Sequence, residues 1–437
     1  MKYKEYKKCD CGWLDKIPSG WSTIPIKRTV KNILTSFIDG DWIESNVITS
    51  DGIRYLTTGN VGALEYKEQG NGHISEETFK ELNCSEVFPG DMLISRLNEP
   101  IGRTCIVPNI GNRIVVAVDN VIYRPDENKY DKRYLMYQMN CLPYTENANY
   151  IARGSTMSRI SRTMLGSIKL CIPTLQEQQT IACYLDEKCG KINGAIDVQK
   201  KKIDLLNELK QTIITNAVTK GLNPDAPMKD SGVEWIGEIP EHWDMIKIKF
   251  NFKIYAGATP KTDVKDYWDG DIIWITPADY KTIDKFISCG QRCITKEGYN
   301  TCNTQLVPKG TLIFSKRAPI GTVAIADTEL CTNQGCLSCV PQKCSSLYYY
   351  YATSVYTEIF DLLGSGATFK EISASDFANV KLPSPDYDEQ LAIVSSIEKK
   401  VLKIDAQISK ANRRIELLNE LKQSIITEAV TGKIKVC

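Results

Sequence analysis

The stretch "KKIDLLNELKQTIITNAVT" (Lys201 to Thr219) recurs as "RRIELLNELKQSIITEAVT" (Arg413 to Thr431), with 14 of 19 positions identical. Agreement of that density marks an internal duplication, and a duplication constrains the architecture before any single element does. At the same offset upstream, Gly154, Thr156, Ile160, Ser161, Lys169, Leu170, Pro173, Glu177, Gln178 and Ile181 answer to Gly366, Thr368, Ile372, Ser373, Lys381, Leu382, Pro385, Glu389, Gln390 and Ile393. Each half opens alike: Trp13, Ile17, Pro18 and Trp21 correspond to Trp235, Ile239, Pro240 and Trp243. Mid-half, "PGDMLISR…PIG" (Pro89 to Gly102) echoes "PKGTLIFSK…PIG" (Pro308 to Gly321), and between these anchors the halves diverge.

The repeated stretch is helical and carries a seam. Ile192, Ile196, Gln199, Ile203, Leu206, Lys210, Ile213 and Ala217 step by alternating fours and threes, as do Ile404, Ile408, Ala411, Ile415, Leu418, Lys422, Ile425 and Ala429. That spacing predicts two helices packed against one another. If equivalent faces meet about a pseudo-twofold axis, the pair is antiparallel. Thr174 with Glu177, and Asp386 with Glu389, have the spacing of a capping box at each helix start. Some 40 helical residues extend about 60 Å, so the pair also reads as a spacer.

Upstream of each helix the sequence reads mainly as strands and loops, with β-branched runs such as "DMLIS" and "RIVVAVDNVIYRP" bounded by Gly, Pro and Asn. "DKRYLMYQMN" and "SLYYYYATSVYTEIFDLL" are short helices with core-facing apolar stripes. The resulting division is an N-terminal extension (1–16), a mixed domain (17–175), a long helix (176–220), a Gly- and Pro-bearing linker (221–238), a second mixed domain (239–385) and a second long helix (386–437). The fold class is α+β: two strand-rich domains joined by two long helices in an antiparallel coiled coil.

Composition narrows the function. Of 437 residues, 42% are hydrophobic and 24% charged, the balance of a globular chain. No apolar run approaches the ~18 residues of a membrane span, and Met1 to Cys11 lacks a signal-like stretch, so a cytoplasmic location is expected. The formal charge is only +1, and two histidines, His73 and His242, leave little for His-based metal sites or triads. Sixteen irregularly spaced cysteines read as reduced thiols. The densest group, Cys331, Cys336, Cys339 and Cys344, has one zinc-like gap, but "CLSCV" reads equally as a strand of small apolar side chains, and no metal is assigned. No Walker loop, GxGxxG after a strand or HExxH is present, and "PDENK" (Pro125 to Lys129) reads as a solvated turn. The chain is therefore expected to be non-catalytic.

Near-identical helices beside divergent domains imply one shared docking task and two different recognition tasks. Asn207, Glu208, Gln211, Thr215 and Thr219 recur as Asn419, Glu420, Gln423, Thr427 and Thr431, outside the seam, and are the candidate partner-docking residues.

The chain resembles the specificity subunits of type I restriction-modification systems over essentially its whole length. The resemblance rests on "SGVEWIGEIPEHW" (Ser231 to Trp243), "GSTMSRIS" and "GATFKEIS" (Gly154 to Ser161, Gly366 to Ser373), the Pro…Glu-Gln…Ile helix starts and the paired "LLNELKQ" helices. It implies that each mixed domain is a target recognition domain reading one half of an asymmetric, bipartite site in double-stranded DNA, with the coiled coil setting the gap. The helices would recruit two copies of a modification (methyltransferase) subunit, and the assembly a restriction (translocase and nuclease) subunit. S-adenosylmethionine, ATP and magnesium would belong to those partners, and this chain would hold no cofactor. A stand-alone DNA-binding protein of the same fold is the alternative.

Side-chain chemistry nominates the DNA contacts: Arg for guanine, Asn or Gln for adenine, Ser and Thr for phosphates. In the first half these are Thr58, Asn60, Arg96, Asn98, Arg153, Ser155, Thr156, Ser158 and Arg159; in the second, Thr276, Lys281, Lys316, Arg317, Thr368 and Lys370. With each helical segment near +1, the remainder is about −1, so the isolated chain should bind DNA weakly.

Overall fold

The computed structural model describes residues 2–152, 158–279, 285–317, 319–366 and 370–436. The long helices are Leu175–Lys220 and Tyr387–Val430, within a residue of the expected starts. Packing divides the chain into two compact units: Met1–Lys200 with Asn412–Cys437, and Lys201–Ala411. Each unit thus contains part of both helices.

In the first unit a four-stranded antiparallel sheet runs in the order Phe37–Asp39, Asn120–Tyr123, Met92–Ser95, Thr104–Ile106. A three-stranded sheet places Ile53–Leu56 between His73–Ile74 and Ile114–Val116, the latter pair parallel. Ser22–Pro25 pairs with Lys169–Ile172, the strand that leads into the first long helix. The second unit repeats the plan with a five-stranded sheet through Leu312–Ser315, a three-stranded sheet around Trp268–Ile275, and Asp244–Lys247 paired with Lys381–Ser384. In each unit one glycine allows the two sheets to meet. A Cβ on Gly40 would lie 2.2 Å from the Val116 carbonyl oxygen, and one on Gly257 would lie 2.1 Å from that of Asn333.

The extension and the linker each contain a short hairpin. Tyr6–Lys8 pairs with Lys16–Pro18, and Met228–Asp230 pairs in the same way with Glu238–Pro240. Three-residue strands are too short for a periodic signal in the sequence.

Helix pairing follows the seam. In the first unit Ile181 and Leu185 share a core with Ile426, Ala429 and Val430, while Asn193 accepts a 2.9 Å hydrogen bond from Lys422 Nζ. Moving forward on one helix moves backward on the other, so the pair is antiparallel. In the second unit Ile214, Ala217 and Val218 share a core with Ile393 and Ile397, and Lys210 Nζ lies 2.7 Å from Asp405. Lys210 and Lys422 are repeat equivalents, as are Asn193 and Asp405. Each lysine lays its stem in the seam and its ammonium on an outer polar group, a contact that fixes register.

The helix starts correct one expectation. Thr174 and Asp386 do cap the amides of Glu177 and Glu389, at 3.3 and 2.8 Å. The glutamates serve a different purpose from closing the box: Glu177 accepts from Trp21 Nε1 at 3.2 Å, and Glu389 from Trp243 Nε1 at 2.9 Å. Both tryptophans are buried. Burying an indole requires a partner for its N–H, and the helix start supplies one. The adjacent glutamines reach elsewhere. Gln178 Oε1 accepts from the Asp131 amide at 2.9 Å, and Gln390 Oε1 from the Ser345 amide at 2.8 Å, each just ahead of a core helix.

Candidate nucleic-acid interface and helix docking face

Three loops converge in the first unit: Thr57 to Val61, Arg96 to Gly102, and the segment from Ser158 to Ser161. The Asn98 amide donates to the Ser158 carbonyl at 3.3 Å, and the Ile160 amide to that of Arg96 at 3.0 Å. One side chain, absent from the sequence-based candidates, joins the first two loops. The half-buried Arg103 guanidinium donates to the carbonyls of Val61 (2.7 Å), Thr58 (2.9 Å), Asn98 (2.7 Å) and Pro100 (3.2 Å). An arginine offers five N–H donors in a rigid fork, so it can hold several loop carbonyls at once. Burial pulls its pKa below the ordinary value, and carbonyl oxygens take the place of water around the charge.

In the second unit the counterparts of the second and third loops meet. Thr276 closes a turn on Asp279, through its amide at 2.7 Å and its hydroxyl at 2.8 Å. The Lys316 amide donates to the Gly335 carbonyl at 2.8 Å, and the Ile372 amide to the Lys316 carbonyl at 3.1 Å, matching the Ile160 to Arg96 contact. Here Thr322 occupies the position of Arg103 after Pro-Ile-Gly. Ser315 secures the loop, its hydroxyl 2.9 Å from the Arg317 carbonyl and 2.8 Å from that of Pro319, as Ser95 does in the first unit, 3.0 Å from the Leu97 carbonyl.

Among the nominated DNA contacts, Arg153, Ser155, Thr156, Lys281 and Thr368 lie outside the described residues. Two others point inward. Asn60 is 1% exposed, accepts from the Thr57 amide at 2.8 Å and donates to the Lys67 and Gln69 carbonyls, so its amide is spent on the turn. Arg96 is 5% exposed, donates to the Val118 and Ile160 carbonyls and sits 3.2 Å from Asp39. Residue type nominated both, but it says nothing about direction. Thr58, Asn98, Ser158, Arg159, Thr276, Lys316, Arg317 and Lys370 keep some exposure in these loops.

The cations among them are paired. Arg159 meets Asp119 at 2.7 Å, Lys316 and Arg317 share Glu371 at 2.6 and 3.5 Å, and Lys370 meets Asp361 at 2.6 Å. Exposed pairs of this kind contribute only about 0–1 kcal/mol. An incoming phosphate can displace the carboxylate at little cost, although Lys316, with a side chain only 12% exposed, is the most constrained.

On the helices, Asn207, Glu208, Gln211, Asn419 and Glu420 are exposed, and Thr215, Gln423 and Thr427 partly so. Thr219 and Thr431 are a correction. They are buried, and their hydroxyls donate to the Thr215 and Thr427 carbonyls at 2.7 and 2.6 Å, a local bond within the last helical turn. The sequence reading also missed an apolar component. Leu205 is 64% exposed, and Leu209, Leu417 and Leu421 are each 48% exposed, in matching positions on the two helices. Each leucine pair stands beside the polar candidates. The cysteines Cys331, Cys336, Cys339 and Cys344 do not converge: the first packs with Trp268 and Trp274, the second with Ile275 and Ile313, the last two in the large core around Tyr348.

A family model described as the type I restriction modification DNA specificity domain matches residues 27–211 and 240–418. The MjaX type I restriction enzyme specificity subunit of Methanocaldococcus jannaschii is 27% identical, with 99% of this chain and 98% of that protein covered. The MjaIX specificity subunit of the same organism is 40% identical over 164 residues, 37% of this chain and 38% of that protein. Among solved structures, a chain from work on complex assembly and conformational transition of the type I R-M system superposes with a TM-score of 0.71 at 16% identity, covering 96% of this chain and 100% of that one. The HsdS subunit from Thermoanaerobacter tengcongensis gives 0.52 at 16% identity, covering 96% and 98%.

Replacing Arg103 with alanine removes the shared anchor of the first unit's loops. Hydrogen exchange should accelerate at least tenfold, about 1.4 kcal/mol, at amides of residues 58–61 and 97–102, and remain unchanged in the second unit. Unaltered exchange at those amides would contradict the anchoring role.

Proposed function

Because the chain belongs to the type I restriction-modification DNA specificity family, we propose that each of its two units reads one half of an asymmetric, bipartite DNA target for partner enzymes. One observation carries the reading. Two loops meet in both units through an equivalent backbone contact, Ile160 to Arg96 and Ile372 to Lys316, yet the side chains they present differ: Asn98, Ser158 and Arg159 in one, Lys316, Arg317 and Lys370 in the other. A conserved frame holding unlike side chains is what reading two unlike half-sites requires. The duplicated helices supply equivalent docking faces for two modification subunits, each face combining a leucine pair with exposed Asn and Glu. Central apolar anchors with a polar rim are the usual anatomy of a protein interface.

The chemistry then belongs to the partners: methyl transfer from S-adenosylmethionine to adenine in the modification subunits, and magnesium- and ATP-dependent translocation and cleavage in the restriction subunit. This chain supplies the address, in the cytoplasm where those enzymes and the DNA are found. The charge of +1 fits a division of labour in which partners provide most of the phosphate attraction.

Two experiments test the reading. Exchanging residues 17–175 for the corresponding domain of another specificity subunit should change one half-site in a methylation map and leave the other intact; a change in both, or in neither, contradicts it. Native mass spectrometry of the chain co-expressed with its modification subunit should show two copies bound. The double variant Leu417→Asp, Leu421→Asp should weaken one copy at least tenfold and retain the other. Retention of both copies would remove the leucine face from the interface.

A further inference from the structure

Three thiols converge in the first unit. The Sγ atoms of Cys9, Cys11 and Cys171 all lie within 4.8 Å of one another, and this is the sole group of three or more His, Cys, Asp or Glu ligand atoms so placed among the described residues. Cys9 and Cys11 are 2.9 Å apart and Cys9 and Cys171 4.0 Å. All three are buried, Cys171 completely.

The fold does not need them. In the second unit the equivalent hairpin and strand carry Ser231, Val233 and Pro383 at these positions. The Cys11 amide donates to Cys9 Sγ at 3.4 Å, and the Val233 amide to Ser231 Oγ at 3.2 Å, so Cys9 has a local role that serine performs equally well. Nothing of that kind accounts for Cys11 and Cys171. Their presence opposite Cys9 therefore points beyond packing.

We propose that Cys9, Cys11 and Cys171 form a binding site for a thiophilic d10 metal ion, of which Zn2+ is the commonest. Sulfur is the donor these ions prefer. Zinc–sulfur bonds of about 2.3 Å place sulfurs roughly 3.8 Å apart in a tetrahedral site. The 4.0 Å pair already matches, and the 2.9 Å pair reaches it by opening less than about 1 Å. Three protein ligands leave zinc one position for water or another small ligand.

Cys171 is held from behind: its amide donates to Gln138 Oε1 at 3.0 Å, and its carbonyl accepts from Tyr134 at 2.7 Å and Gln138 at 2.8 Å. Such outer contacts fix ligand orientation. On binding, each thiol that ligates releases its proton. The bound ion would tie the N-terminal hairpin to the strand entering the first long helix.

The full chain, expressed in zinc-supplemented medium and purified without chelator, should carry about one zinc per molecule, with a sulfur shell in X-ray absorption. Titrating it with an organomercurial while a zinc indicator reports release should free the ion as the thiols react, which requires no variant. Cys11→Ser should lose at least tenfold of the zinc content, and Cys331→Ser none. Zinc-free protein with three alkylatable thiols would overturn the proposal. So would a Cys9–Cys11 disulfide seen by mass spectrometry, or zinc retained undiminished in Cys11→Ser.

Discussion

Neither unit has a complete core without helix from both repeats. In the first unit, Ile426, Ala429 and Val430 of the second long helix are packed against Trp21, Tyr134 and Leu185, and Gln138 Nε2 donates to the Val430 carbonyl at 3.1 Å. In the second, Ile214, Ala217 and Val218 of the first long helix meet Trp243, Tyr348 and Ile393, and the Tyr348 hydroxyl reaches the Val218 carbonyl at 3.3 Å. Fully burying an Ile or Val side chain stabilises by about 1.5–3 kcal/mol, so the exchanged helix ends are a substantial part of each unit's cohesion. The constraint also explains why the helices resist divergence. A change in the last turns of either helix alters a seam and a domain core together.

The same constraint decides what could be read from the sequence. Antiparallel pairing was legible because the seam is periodic and the repeat supplies its partner. The helix-start glutamates were misread, since Thr174 to Glu177 has the spacing of a capping box and the true partner, Trp21, lies far away in sequence. Sequence distance also hid the thiol cluster: Cys171 is remote from Cys9 and Cys11, whereas the closely spaced Cys331 to Cys344 group falls into separate cores. Short-range spacing is a good guide to helical contacts and a poor one to contacts made across sheets.

The loops illustrate a second limit. Chemistry nominated Asn60 and Arg96, and both turn inward to hold backbone; Arg103, beside a recognised motif, does the organising but has Thr322 as its repeat counterpart and so left no repeated signal. The exposed leucines were hidden for another reason. In "LLNELKQ" one leucine of each double, Leu206 or Leu418, belongs to the seam, and the adjacent Leu205 or Leu417 looks like part of the same apolar stripe until the structure shows it facing solvent. What recurs in both units is the frame, and what differs is the set of side chains it offers. The proposed recognition and docking roles rest on that division.

The family resemblance implies that the paired helices set the gap between the two half-sites. A methylation map of cells carrying a variant that lacks residues 198–204 and 410–416, one heptad from the middle of each helix, tests it most directly. Seven helical residues span about 10.5 Å, or some three base-pair steps. The account predicts that both half-site sequences are retained and the gap between them shortens by up to about three base pairs. An active complex that methylates the original half-sites at the original spacing would contradict it.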